Sequence, residues 1–581
     1  MLVTLETFSQ ITSPIADNLA LSALVAALPL VALFLLLGVF KVPAWKASLA
    51  TLALAVLMAI LGWQMPVLMA TSATLEGIFF GICQIMTILI SAVWIYNLTV
   101  KMGWDKVLRD LLRGISTDLR ILAILIAFCF GALLEALAGF GTPVAITAAM
   151  LVAAGMKPLK AAVVCLLSNT APVAFGVMGA PITALGTGAA GVFGDGSLDP
   201  GTLAELLGQM AGRQSPFMAT VVPLFLVFMV DGLRGLKDTW HIALGAGVVF
   251  AIFQFVASNF IGYQITDVIA SVACIGFILG LLRVVKPKNP VLAEFAQEDE
   301  AEKTPAQFSS GAARVWGATA PYLIVVIIFS ISQLPFVKTA ITSWAGGYTN
   351  PAGEKVPGAL VFTWPGLGDC FKADGLTSCV ATNINLWSLL STGTLLFIGG
   401  IVTFLIYRMR VDTAVKVLGK TVVSLKFTII TIACVLGIAY AMNASGLTVS
   451  LGTALAMGTG VAFAFLSPIL GWVGVAVTGS DTSSNALFAA MQAQAAHTVW
   501  PDSPAHQVLM VASNSTGGCM GKMISPQSLS IAAAAVGMTN QEGVIFRKIL
   551  GWSLALLLIF ALLVVLQASV LVGMIPLPST G

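Results

Sequence analysis

The chain has 581 residues, of which 58% are hydrophobic and only 9% charged. A soluble domain carries roughly 45–50% apolar and ~25% charged residues, so a mean hydropathy of +0.99 places this chain in a bilayer. The net charge of +3 is spread between apolar runs, which excludes the basic face of a nucleic-acid-binding protein.

In chain order, the start MLVTLETFSQITSPIADNLA lacks the basic region of a cleavable signal peptide, and Glu6 and Asp17 suit an outside N-terminus. Apolar runs such as Leu21–Phe40, Phe217–Val230 and Trp552–Leu571 approach the ~20 residues that span a bilayer as helix. Their recurrence predicts an all-α polytopic membrane protein with about 12–14 membrane elements in one domain. Basic residues cluster at Lys41/Lys46, Lys101–Arg120, Arg234/Lys237, Arg283–Arg314, Arg408–Lys426 and Arg547/Lys548. By the positive-inside rule these loops are cytoplasmic, which puts both termini and the loop 334–385 outside. Lys101–Arg120 and Arg408–Lys426 alternate basic and apolar residues and read either as interfacial amphipathic helices or as plain connections. Lys286–Arg314 mixes both charge signs with Pro and Ser and reads as a flexible cytoplasmic linker. It divides an N-terminal half, 1–285, from a C-terminal half, 315–581.

Six of the eight cysteines lie singly in apolar segments and read as small packed hydrophobes. Cys370 and Cys379 stand in GDCFKADGLTSC, within the loop assigned to the outside, where an oxidising compartment permits a disulfide between them. No His stands near to suggest a metal there instead.

An internal repeat crosses the linker. GFGT at Gly139–Thr142 is followed 29 residues later by SNT at Ser168–Thr170, and GSDT at Gly479–Thr482 is followed 34 residues later by SNS at Ser513–Ser515. Each first motif opens a small-residue segment, and each second motif is expected to interrupt an apolar helix. Such residues at mid-membrane free backbone groups that persist only inside protein or along a watery cavity. Two matched breaks therefore point to a transporter's central site, formed by broken helices and re-entrant segments. The alternative is close helix packing through small residues.

At this point a resemblance becomes visible. GALLEALAGFGTPVAITAA at Gly131–Ala149, SNTAPVAFGVMG at Ser168–Gly179, GQMAGRQSPF at Gly208–Phe217, TGSDTSSNALFAA at Thr478–Ala490 and SNSTGGCMGKMISPQS at Ser513–Ser528 together resemble the signature blocks of the bacterial L-lactate permease family. The resemblance covers essentially the whole chain. It implies uptake of L-lactate, D-lactate or glycolate with a proton across a bacterial inner membrane. More distantly the chain is similar to the ion-transporter superfamily, which implies two inverted repeats and an elevator-like movement.

A lactate anion needs donors for its carboxylate, a partner for its hydroxyl and a small apolar wall for its methyl. Broken-helix N-termini offer N–H groups and partial positive charge. The candidate substrate-binding residues are Phe140, Gly141, Thr142, Ser168, Asn169, Thr170, Ser480, Thr482, Ser483, Asn514, Ser515 and Thr516, with Phe140 facing the methyl. Ser168 departs from the family pattern, where hydrophobic residues also precede the Asn-Thr pair. Lys522 or Arg213 is the candidate cation, with snorkelling to an interface as the other reading of each. Proton coupling needs a titrating group within the spans, and Glu135, one helical turn before Gly139, and Asp481 are the candidates. Either carboxylate can instead serve a helix N-terminus. Glu76 and Asp231 read as more interfacial.

Competing functions are a Na⁺-coupled carboxylate symporter, since the same oxygens hold Na⁺, and an anion channel, although no filter loop or acidic ring appears. An enzyme is not expected. HExxH and GxSxG are missing from the sequence, and GKT at Gly419–Thr421 has Ala414 where a P-loop needs Gly. The three histidines, His241, His497 and His506, are scattered, and no cofactor or metal is expected.

Overall fold

The computed structural model describes residues 7–104, 107, 115–139, 141–193, 198–285, 287, 289–292, 312–332, 334, 336–337, 339–341, 347–349, 355–357, 360–367, 370–371, 383–538 and 541–577. The expected Phe140 contact, Cys379 and most of the linker lie outside these residues. Among the described residues, nine helices are long and apolar enough to cross a membrane. One bent helix pair passes the same test as a single broken span, and two shorter apolar helices accompany them.

The first half contains α1 (Leu19–Phe34), α2 (Ala44–Leu61), α3 (Val67–Phe80), α4 (Thr87–Lys101), α5 (Leu119–Leu122), α6 (Gly131–Leu137), α7 (Thr142–Ala153), α8 (Pro158–Ser168), α9 (Gly176–Ala189), α10 (Pro200–Phe260) and α11 (Thr266–Val284). The second contains α12 (Ala312–Ser332), α13 (Thr392–Ile406), α14 (Val411–Ser424), α15 (Lys426–Ser445), α16 (Leu447–Thr459), α17 (Phe463–Thr478), α18 (Asp481–Val499), α19 (Pro504–Lys522), α20 (Pro526–Ala535) and α21 (Glu542–Gln567). Starts are marked by Asn18, Asp118, Asp199, Ser480 and Ser525 as side-chain caps, and by Pro158, Pro200, Pro504 and Pro526 in the first turn.

Two layers result. In the outer one, α15 packs on α2 and α3, while α13 and α14 pack on α4. α14 is the amphipathic helix anticipated in the basic stretch 408–426, with Val411 and Val423 exposed. In the inner body, α9 meets α18, α10 meets α19, and α7 meets α20, so the two halves interlock instead of lying side by side. The inner span Leu119–Leu137 is wholly enclosed by protein. Having no lipid-facing side, it can hold polar groups that a lipid-exposed helix cannot.

The 61-residue α10 is not straight: it reverses at Gly232, where φ is 63° and ψ is −150°. Arg213 Nε donates to Asn259 Oδ1 at 2.9 Å across the resulting hairpin. Its Nη1 reaches the Met574 carbonyl at 2.7 Å, so Arg213 ties helix ends together and stands apart from the central site. Asp231, beside the bend, pairs with the fully buried Arg120 at 3.2 Å. Arg120 is also held by Asp118 at 2.7 Å and Asp238 at 2.9 Å. Glu76 is enclosed by protein, only 2% exposed within α3.

Phe8–Ser9 pairs in parallel with Cys370–Phe371, so the N-terminal segment and the loop 334–385 share one face. Cys370 is disulfide-bonded, whereas the six cysteines in the helical segments carry free thiols.

Candidate functional site

Both first motifs break a helix as expected. After α6, the chain passes through left-handed Gly139 (φ 49°) and Gly141 (φ 86°), and α7 begins at Thr142. After α17 it passes through left-handed Gly479 (φ 75°), and α18 begins at Asp481 with Ser480 as cap. The second motifs differ. Ser168–Thr170 ends α8, and the chain kinks by 63° before continuing as α9. Ser513–Ser515 lies inside the unbroken α19, which corrects the expected interruption. Ser513 Oγ donates to the Leu509 carbonyl at 2.7 Å, one turn back, so its hydroxyl is accommodated within the helix. The chain turns instead at Met523–Ser525, just before α20.

The second half supplies a connected polar network. Asp481 is not the helix cap; Ser480 Oγ does that, accepting from the Ser483 N–H at 3.2 Å. The Asp481 Oδ2 accepts from Ser515 Oγ at 2.6 Å and from Asn485 Nδ2 at 3.2 Å. Asn514 Nδ2 donates to Asn485 Oδ1 at 2.8 Å, and Asn514 Oδ1 accepts from Gln492 Nε2 at 2.9 Å. Ser467 closes the chain by donating to Gln492 Oε1 and to the Met510 carbonyl. Thr516 Oγ1 donates to Gln214 Oε1 at 2.8 Å, and Gln214 Nε2 donates to Ser513 Oγ and Gln567 Oε1, which joins the halves. Gly518 leaves room for this arrangement: a Cβ there would stand 2.6 Å from Asp481 Oδ1.

The first half is less complete. Glu135 is buried, and its carboxyl is crowded by backbone, with a Cβ at Gly176 falling 3.0 Å from Oε1. Asn169 lies beside this carboxyl. Even so, Glu135 Oε2, Asn169 Nδ2 and Ser168 Oγ make no hydrogen bond. Thr170 Oγ1 is occupied by the Leu167 carbonyl at 2.7 Å. Val177 (φ 45°), Met178 (φ 51°) and Gly179 (φ 75°) follow in left-handed conformation. That is strained for the β-branched Val177, and strain of this kind, ~1–3 kcal/mol per residue, persists only where the surroundings enforce it.

Between the halves stands Lys522, 4% exposed, whose ammonium donates to the Gly479 carbonyl at 2.5 Å. It is an electrostatic neighbour of both Glu135 and Asp481, yet it forms no ion pair within 4.0 Å of either. The structure thus brings together Glu135, Asn169, Asp481, Asn514, Ser515 and Lys522. Thr142, Thr482 and Ser483 occupy first helical turns near the breaks. Sequence reasoning missed Gln214, Ser467, Asn485 and Gln492, although Gln214 and Asn485 stand inside the quoted blocks GQMAGRQSPF and TGSDTSSNALFAA.

The model of the family described as L-lactate permease matches residues 22–571. The chain belongs to the L-lactate permease family. It is 39% identical to the L-lactate permease of Bacillus subtilis over 98% of this chain and 100% of that one. The glycolate permease GlcA of Escherichia coli is 38% identical over 98% and 99%, respectively. The Escherichia coli L-lactate permease is 39% identical over 97% and 98%. Among solved structures, Neisseria gonorrhoeae MtrF aligns with a TM-score of 0.43 at 14% identity, covering 85% of this chain and 82% of that one.

Proposed function

We propose that the chain carries L-lactate, and with it D-lactate and glycolate, into the bacterial cell across the inner membrane together with a proton. The names of its relatives support the substrate class. The observation that carries the coupling is a buried ammonium, Lys522, set between two buried carboxyls that each keep one unpartnered oxygen.

Charge conservation then dictates the cycle. An isolated charge in a low-dielectric interior costs several kcal/mol, so the centre stays near neutrality in every state that moves. Empty, Lys522 is balanced by the ionised Glu135 carboxylate while Asp481 is protonated. Loaded, the substrate carboxylate balances Lys522, and both Glu135 and Asp481 must be neutral. One anion therefore enters with one proton. The substrate carboxylate reaches Lys522 Nζ and Asn169 Nδ2, and the neutral Glu135 carboxyl faces the hydroxyl. The Asp481 network holds the second wall in place.

Such a step moves no net charge. The potential, worth ~2.3 kcal/mol per charge per 100 mV, then does not drive it directly, while each pH unit supports about tenfold accumulation. Labelled L-lactate uptake into proteoliposomes under separately imposed gradients tests this. Accumulation should follow an acid-outside pH gradient and ignore Na⁺. Accumulation driven by Na⁺ or by potential alone would overturn it. Glu135→Gln, which cannot release a proton, should lose gradient-driven accumulation and retain exchange of labelled for unlabelled lactate; normal accumulation would remove Glu135 from the mechanism.

A further inference from the structure

A third carboxyl adjoins this centre. Asp267, the second residue of α11, is fully buried. Gln254, on the returning arm of α10, donates from Nε2 both to Asp267 Oδ1 and to the Ala171 carbonyl, each at 3.2 Å. Ala171 is the second residue after Asn169 in the first break. The Gln254 amide cannot be reversed, because its Oε1 would then face the Ala171 carbonyl, acceptor against acceptor. Asp267 Oδ2 and Gln254 Oε1 are consequently left as two buried acceptors without a donor. Leaving such groups unpaired is costly. One proton on Asp267 Oδ2 removes the charge and supplies a donor.

The order of groups gives that proton a direction. Lys522 faces Glu135 and Asp481, whereas Asp267 faces Glu135. The helix that carries Asp267, α11, packs directly on α6, which carries Glu135. On its other side Asp267 lies just after the turn 260–265, in which the polar Gln264 is partly exposed. The returning arm of α10 runs from the Gly232 bend to Phe260, about 42 Å at ~1.5 Å per residue, more than a ~30 Å hydrocarbon core. The turn and the basic bend with Arg234 and Lys237 thus lie at opposite membrane faces.

We infer that Asp267 is the station through which Glu135 exchanges its proton with water at the Phe260–Ile265 turn. A proton from that side neutralises the Asp267 carboxylate and then passes to the Glu135 carboxylate, leaving Asp267 ionised for the next; release reverses the order. Only a proton moves, and its charge is accounted for at each carboxyl. The other groups facing Asp267 are few. Cys519 comes from α19, Tyr263 from the turn has its hydroxyl 3.0 Å from Thr183 Oγ1, and Ser271 lies one turn along α11. Cys129, from the segment before α6, is engaged with Cys274, their sulfurs 3.2 Å apart, and α9 has no titratable side chain.

This inference rests on proton coupling at Glu135, so the test carries Glu135→Gln beside Asp267→Asn and Asp267→Glu in proteoliposomes. Each variant is measured for pH-gradient-driven uptake and for lactate exchange. Asp267→Asn should keep exchange within about twofold while the initial rate of gradient-driven uptake falls at least about tenfold and stops rising with external acidity. Asp267→Glu should recover both the rate and its pH dependence. Normal gradient-driven uptake by Asp267→Asn, or parallel loss of exchange and uptake as for a merely structural acid, would overturn the relay. If Glu135→Gln loses coupling and Asp267→Asn does not, the relay alone is wrong. If Glu135→Gln accumulates lactate normally, coupling at Glu135 falls as well.

Discussion

At the first break the backbone turns through Gly139, Gly141, Val177, Met178 and Gly179 in left-handed conformation, and Glu135, Ser168 and Asn169 each leave a polar atom without a partner. At the second, the turn between α17 and α18 needs Gly479 alone, and Asn485, Gln492, Asn514 and Ser515 bond one another or Asp481. Similar residue types thus serve two ends. The second half is more nearly a finished wall, stiffened by side-chain bonds that leave Asp481 Oδ1 and Ser484 Oγ open. The first half is strained and incompletely bonded, so a small polar anion finds its open partners there. A site built this way is rigid on one side and completed by its cargo on the other.

The largest expected effect comes from removing the charge that both halves share. Lys522→Met should lower lactate uptake by about 100-fold or more, since breaking a buried charge arrangement costs ~3–5 kcal/mol; uptake near the parent level, at matched expression, would show that the anion's counter-charge lies elsewhere. Asn169→Ala and Asn514→Ala should each cut uptake by about tenfold, but they should part company in stability. Asn514→Ala strands buried groups on Asn485 and Gln492 and should destabilise the detergent-solubilised protein by about 1–3 kcal/mol. Asn169→Ala removes an amide whose Nδ2 makes no hydrogen bond and should shift the melting temperature much less. Equal melting shifts in the two variants would erase the contrast between the halves. A smaller change tests the strain: Val177→Gly relieves a positive φ worth about 1–3 kcal/mol but deletes a buried side chain of similar worth. Stability should therefore change by no more than about 1 kcal/mol, far less than for the same substitution in an unstrained core. The smallest effect belongs to the region far from both breaks. Non-reducing peptide mapping should recover a Cys370–Cys379 linkage, and its reduction should leave uptake unchanged.

Much of the fold was legible because the bilayer imposes length and composition on each span. The two Gly-led turns were legible too, since glycine and proline inside apolar runs have few other uses. Ser513–Ser515 misled for a physical reason: serine and threonine hydroxyls can bond the carbonyl one turn back, so a polar triplet does not by itself break a helix. The true turn had its own mark in Ser525-Pro526, a cap followed by proline at the first helical position. Gln214, Gln492 and Asp267 were illegible, because each meets its partner on another helix and no spacing along the chain predicts the meeting. Nor does sequence favour a left-handed Val177, where local preference is overruled by packing.

The pairing of Phe8–Ser9 with Cys370–Phe371 bears on how the molecule is made. More than 360 residues separate the partners, so during synthesis the N-terminal segment must wait for well over half the chain to be inserted before it can dock. Contacts of such high sequence separation form late. Gln10 adds to this latch by donating to the carbonyls of Asn443 and Ala444, which emerge later still. Residues made hundreds of positions before their partners are thus among the last to find their place, and a bulky insertion beside Phe8 should interfere with completion of assembly more than with insertion of the early spans.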